Sequence, residues 1–90
     1  MITLRMPTPL RTYTNGQAEI KLGGETVAAA MNDLVEQFPA LRPHLFNGKS
    51  ELRPFVNLFL NDENIKALQG LDTPLKEGDR LMLIPSIAGG

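Results

Sequence analysis

The sequence contains no cysteine. That absence removes structural disulfides, iron–sulfur ligation, thiolate zinc sites and any cysteine nucleophile. Its one histidine, His44, has no second histidine or cysteine to act with. Within Pro43-His44-Leu45 it is expected to be a surface side chain rather than a site. Neither sign of charge dominates. Nine Lys and Arg against ten Asp and Glu give a net charge of −1, too little field to attract nucleic acid or an acidic membrane. Long apolar runs are also lacking, so no segment is expected to span a bilayer, and no charged-then-apolar leader is expected before Ile2. The expected address is the cytoplasm, with no nucleic-acid partner and no membrane partner.

What is present is one small domain of 90 residues, 42% hydrophobic and 21% charged. A chain of this size buries roughly 60–65% of the surface its unfolded form exposes, which leaves little room for an enclosed active site. Ile2-Thr3-Leu4-Arg5-Met6 alternates apolar and polar residues, the period of a strand with one buried face. Pro7 and Pro9 stop regular pairing, Asn15-Gly16 is a turn signal, and Ala18-Glu19-Ile20-Lys21-Leu22 alternates again. A hairpin with a long loop is expected.

After Gly23-Gly24 the period changes to that of a helix. Thr26 is placed to cap it, and Val27, Ala30, Met31, Leu34, Val35 and Phe38 fall on one stripe. Pro39 ends the helix at Phe38. Residues 40–46 suit a short irregular helical turn, and 47–50 a loop. The segment 55–60 is the strongest strand, followed by an Asn61-Asp62 turn. Residues 64–77 are broken, with room for one short strand and a one-turn helix. Lys76-Glu77-Gly78-Asp79 is a turn, 80–84 the last strand, and Pro85 is expected to terminate its ladder. One amphipathic helix cannot cover both faces of a four- or five-stranded sheet. The expected fold is therefore α+β, a ubiquitin-like β-grasp domain over residues 1–85 with the helix across one face of a mixed sheet. Residues 86–90 form a separate flexible tail in this reading.

Catalysis within the chain is not expected. Asp62, Glu63, Asp72 and Asp79 lie in turns, at no calcium-loop spacing, so no metal site is assigned. Gly23-Gly24 and Gly70 lack the glycine-lysine pattern of a phosphate cradle. Two features do call for a function. The first is the closing pair Gly89-Gly90. With glycine usage of about 7%, such a pair arises by chance in about one chain in 200. Residues without side chains can enter a narrow channel in a second protein, where the α-carboxylate of Gly90 would be the reacting group. A frayed terminus is the bland alternative.

The second feature is surplus apolar surface. If Val56, Leu58 and Leu60 face the helix, Phe55, Asn57 and Phe59 face away. Likewise Leu81 and Leu83 face in, while Met82 and Ile84 face out. The first strand instead turns Ile2, Leu4 and Met6 in and Thr3 and Arg5 out. Phe59, Met82 and Ile84, continued by Ile87 and Ala88, form an expected docking patch beside the tail.

These residues resemble the ubiquitin-like sulfur carrier proteins, which include the molybdopterin synthase small subunit and the thiamine-biosynthesis carrier. Element order, the Gly78-Asp79 turn and the Gly89-Gly90 end carry the resemblance over essentially the whole chain. Within the family, three stretches are most similar to the cysteine-biosynthesis branch: residues 55–63, Gly70-Leu71-Asp72-Thr73, and Ile84-Pro85-Ser86-Ile87-Ala88-Gly89-Gly90. Pro7-Thr8-Pro9-Leu10-Arg11 is also similar to that branch.

The resemblance implies a carrier cycle and no catalytic role for the chain. A ubiquitin-activating-like enzyme adenylates the Gly90 carboxylate with ATP, and a sulfur donor converts it to a thiocarboxylate. In the cysteine branch the sulfur passes to an activated serine on a pyridoxal-phosphate cysteine synthase. An acyl shift then leaves cysteine linked after Gly90, and a zinc-dependent peptidase of the deubiquitinase type releases it. ATP, pyridoxal phosphate and zinc belong to those partners, and no cofactor is assigned to this chain. The molybdopterin synthase small subunit, a protein modifier attached through Gly90, and a plain interaction module remain the alternatives.

Overall fold

The computed structural model describes residues 1–49, 51–53 and 56–85. Strand β1 (Ile2–Arg5) and strand β2 (Glu19–Leu22) pair antiparallel, with Ile2 opposite Leu22 and Leu4 opposite Ile20. Those four apolar side chains are buried, and so is Met6. The alternation read from sequence therefore sets the inward face correctly. The connection is more ordered than a plain loop, because Thr8–Thr14 forms a 3-10 helix. Prolines that cannot continue a strand have the fixed φ that suits a first helical turn. The turn ends at Asn15 and Gly16, both left-handed, with φ of 57° and 82°. Thr14 is fully buried, its hydroxyl facing the Arg11 and Gln17 carbonyl oxygens at 3.1 and 3.0 Å.

Helix α1 (Val27–Gln37) begins where expected. The Thr26 hydroxyl accepts from the Ala29 N–H at 3.2 Å, satisfying one of the N–H groups that have no partner within the helix. Val27, Ala30, Met31, Leu34 and Val35 are buried. Phe38 caps the C-terminus with its N–H bonded to the Leu34 carbonyl. A 3-10 turn (Pro39–Leu41) leads into the short helix α2 (Arg42–Leu45), which adds Leu41, Leu45 and then Phe46 to the core.

Strand β3 (Val56–Leu60) buries Val56, Leu58 and Leu60. A turn at Asn61 and Asp62, with φ of 48° and 78°, leads to the two-residue strand β4 (Glu63–Asn64). Two 3-10 turns, Ile65–Ala67 and Gly70–Asp72, fill the broken region. Strand β5 (Arg80–Pro85) closes the sheet. Its far end corrects one expectation, since Pro85 does not stop the ladder at residue 84 but is itself the register partner of Val56. Proline is tolerated at that position because the end of a ladder needs no further N–H donor.

The sheet has five strands in the order β2-β1-β5-β3-β4. β5 lies parallel to β1 and antiparallel to β3. Helix α1 and the inward side chains of all the long strands share one buried cluster. Each fully buried Leu or Met contributes about 1.5–3 kcal/mol relative to exposure. This is the ubiquitin-like β-grasp arrangement, and among the described residues it leaves the opposite sheet face without a covering layer.

Candidate functional site

Strand parity and strand order together compose the open face. On β5 it carries Arg80, Met82 and Ile84, and on β3 Asn57 and Phe59. The ladder sets Phe59 directly opposite Met82 and Asn57 opposite Ile84. On the other side of β5, Thr3 stands beside Arg80 and Arg5 beside Met82. Glu19 and Lys21 of β2 form the outer edge, opposite Arg5 and Thr3. Met82 and Ile84 are 39% and 41% exposed, well above any inward residue of their strand, and Phe59 is half-buried. The structure thus brings Phe59, Met82 and Ile84 together on one face, on the central strand and its neighbour. Ile87, Ala88, Gly89 and Gly90 lie outside the described residues, as does Phe55.

The polar half of the face is fixed by local contacts. Lys21 Nζ donates to the Thr3 hydroxyl at 2.9 Å, and the Arg80 guanidinium pairs with Glu19 at 3.2 Å. Both members of that ion pair are exposed, so it contributes little to stability. Arg11 lies at the margin near Ile84, its Nε donating to the Met6 carbonyl at 3.0 Å.

At the end of the sheet away from Pro85, two turns are clasped together. The Asn61 amide donates to Asp79 Oδ1 at 3.0 Å, and Asn61 Oδ1 accepts from the Arg80 N–H at 3.1 Å. The Lys76 N–H donates to Asp79 Oδ2 at 2.8 Å. That backbone bond, then the Asn61 amide, hold the Asp79 carboxyl below its ordinary range. Partial burial opposes them, and the Lys76 charge helps. The expected role of Asp79 as a turn residue is what the geometry displays.

His44 is less bare than the sequence suggests. It is half-buried, and its ring lies 4.3 Å from that of Tyr13 at a tilt of 35°, joining α2 to the 3-10 segment before β2. The partner comes from a distant segment, which local sequence cannot reveal. Gly24 also has a structural reason. Its φ is 145°, and an added Cβ would stand 2.7 Å from the Ala30 nitrogen. The β2–α1 connection presses directly on the helix backbone.

Sequence alone does not single out Arg5 and Arg11 as site residues. The alternation of β1 does turn Arg5 outward, but only the parallel β1–β5 pairing sets it beside Met82. Among the described residues no helix is long and apolar enough to cross a membrane, and no group of acidic and histidine side chains has metal-binding geometry.

The profile of the ThiS family matches residues 4–90. The chain belongs to the ThiS family. The sulfur carrier protein CysO of Mycobacterium tuberculosis is 34% identical over 91 residues, covering 99% of this chain and 98% of that protein. Among solved structures, a chain of the Amycolatopsis orientalis BexX/CysO complex superposes with a TM-score of 0.91 at 32% identity, covering 100% of both chains. The small archaeal modifier protein 1 of Methanosarcina acetivorans superposes at 0.86 with 33% identity, covering 99% of this chain and 95% of that one. The ThiS membership and the shared fold agree with the resemblance and the β-grasp topology read from sequence.

Proposed function

We propose that the protein is a sulfur carrier that acts as a co-substrate of other enzymes, most specifically in cysteine biosynthesis. The carrying observation is the ThiS match to residue 90, together with end-to-end similarity to a sulfur carrier protein CysO. The reacting group is the α-carboxylate of Gly90. An adenylating partner joins it to the α-phosphate of ATP and releases pyrophosphate. A sulfide equivalent then displaces AMP to leave a thiocarboxylate, so a weak nucleophile becomes a strong one. Gly89 permits close approach by partner backbone, which a Cβ would hinder. The open face carrying Phe59, Met82 and Ile84, with Ile87 and Ala88 beyond it, serves as the recognition handle.

The proposed partners are a ubiquitin-activating-like enzyme, a pyridoxal-phosphate cysteine synthase and a zinc-dependent deubiquitinase-type peptidase, all in the cytoplasm. Each brings its own ATP, pyridoxal phosphate or zinc. A structure of CysO in complex with BexX supports the idea that such carriers are handled by docking to a partner. The similarity to a small archaeal modifier protein favours, as a second reading, attachment of the chain through Gly90 to lysines.

The test is the intact mass of untagged protein from its native cells, before and after incubation with ATP, a sulfide source and clarified extract of those cells. A gain equal to one sulfur less one oxygen on the C-terminal peptide is expected. A further species heavier by one cysteine residue selects the cysteine pathway, whereas isopeptide adducts select the modifier. An unchanged mass after incubation refutes the carrier reading.

A further inference from the structure

The open face is divided by charge as well as by polarity. Two shallow hollows flank Met82. The first, of about 260 Å³, is walled by Phe59 and Met82 and contains Arg80 and Asp62, with Arg5 on the border it shares with the second. The Arg80 guanidinium therefore has carboxylates near it, and Glu19 already pairs with it. The second, of about 270 Å³, lies between Pro7, Met82 and Ile84 and is lined by both Arg5 and Arg11, with no acidic residue among the described residues of its wall. Neither arginine makes an ion pair among the described residues: Glu19, the cross-strand neighbour of Arg5, is engaged by Arg80 instead. Arg11 is held in place through its Nε bond to the Met6 carbonyl, which leaves its terminal nitrogens to point elsewhere.

What sets Arg5 and Arg11 apart is that two guanidinium groups without an ion pair among the described residues line one hollow beside apolar walls. Like charges close together repel unless something answers them, and guanidinium is suited to planar bidentate carboxylates. The hollow also adjoins Ile84, one residue before β5 ends. Any protein that receives the chain beyond Pro85 must pass close to it.

We propose that the Arg5–Arg11 hollow is the charged part of the docking face, and that it takes an acidic segment of the partner protein. That segment sets one apolar side chain against Met82 and Ile84 and carboxylates over Arg5 and Arg11. The inference rests on the carrier function proposed above and names the chemistry of the partner surface. The apolar contacts hold the complex, while the arginines speed and orient encounter. Association is therefore salt-sensitive, although the carrier itself is nearly neutral.

The test measures the rate of sulfur gain on the C-terminal peptide with ATP, a sulfide source and clarified extract of the source cells. Arg5→Glu is the main variant, because the Arg5 side chain makes no hydrogen bond among the described residues that its loss would break. It is expected to load at least about tenfold more slowly than wild type at low salt, with the two rates converging above about 0.5 M salt. Arg11→Lys loses the planar fork but keeps the charge that speeds encounter, so its loading rate is expected to stay within about threefold of wild type, whereas Arg11→Glu falls with Arg5→Glu. Arg42→Glu on α2 makes the same change of net charge away from the face and is expected to load normally. Circular dichroism of each variant separates misfolding from lost docking.

Wild-type loading with an unimpaired, normally folded Arg5→Glu variant overturns the inference and leaves the carrier reading intact. Equal slowing by Arg42→Glu overturns it too, since net charge alone would then suffice. A wild-type dimer by light scattering that Arg5→Glu dissociates would assign the hollow to a second copy instead. If wild type itself gains no sulfur, the carrier reading fails and this inference falls with it.

Discussion

Phe59 and Met82 stand directly opposite each other across the β3–β5 ladder, on the sheet face that no helix covers among the described residues. Their chain neighbours Leu58 and Leu83 are opposite each other on the other face and 1% exposed. One step along either strand therefore moves a substitution from the docking face to the core. Phe59→Asp is expected to keep its circular dichroism spectrum and lose sulfur loading by about 30-fold, the scale of an interface anchor. Leu58→Ala should instead lose about 2–5 kcal/mol of stability in urea unfolding. An unfolded Phe59→Asp beside a stable Leu58→Ala would show that the faces are exchanged.

Replacing the proposed reacting residue gives the complementary pattern. Gly90→Ala is expected to reduce sulfur loading by at least about 100-fold, since a Cβ obstructs close approach of partner groups to the carboxylate. The buried cluster among the described residues ends at Leu83, so the midpoint of thermal unfolding should not move. Normal loading of this variant would show that the partner accepts a side chain beside the reacting carboxylate, against the close-approach argument.

The Asn61–Asp79 clasp makes stability depend on acid. The Asp79 carboxyl is held below its ordinary value of 3.8, so the folded state binds its proton less readily than the unfolded chain. Its contribution is complete above that ordinary value and is lost as pH falls through the lowered one. Asp79→Ala is expected to cost about 1 kcal/mol at neutral pH, the net worth of a hydrogen bond near solvent. The gap between wild type and variant should stay constant down to about pH 5 and narrow below 3.8. Urea unfolding at several pH values measures it. A gap that widens in acid would contradict the assignment.

Two adjacent glycines should respond differently to the same change. A Cβ on Gly24 would stand 2.7 Å from the Ala30 nitrogen and 2.9 Å from the Ala29 carbonyl carbon, at a φ that side chains rarely adopt. Neither backbone atom can move without distorting α1. Gly24→Ala is expected to destabilise by about 2 kcal/mol or more. At Gly23 the nearest atoms are 4.0 Å from an added Cβ, and its N–H bond to Asp33 would survive. Gly23→Ala should change stability by less than about 1 kcal/mol. Thermal melts of the two variants side by side decide the point.

The sequence by itself determined what depends on neighbouring residues. Alternation in β1, β2, β3 and β5 set which side chains face inward, because successive side chains on a strand point to opposite faces. The spacing from Val27 to Val35, with Thr26 before it, set helix α1 and its buried stripe. Phe59, Met82 and Ile84 were marked as outward by the same parity, and the closing motifs pointed to the family. The 3-10 helix over Thr8–Thr14 was not legible, since two prolines end a strand without specifying the conformation of the next segment. Nor was the pairing of Pro85 with Val56, which depends on where the ladder happens to end. Tertiary structure alone decided what stands beside what across long stretches of chain. The parallel pairing of β1 with β5 sets Arg5 against Met82, and the turn after β3 meets the turn before β5 to make the Asn61–Asp79 clasp. Tyr13 reaches His44 in the same way. Local periodicity fixes the face a side chain occupies, but its neighbours on that face come from strand order, which only the burial of one shared core selects.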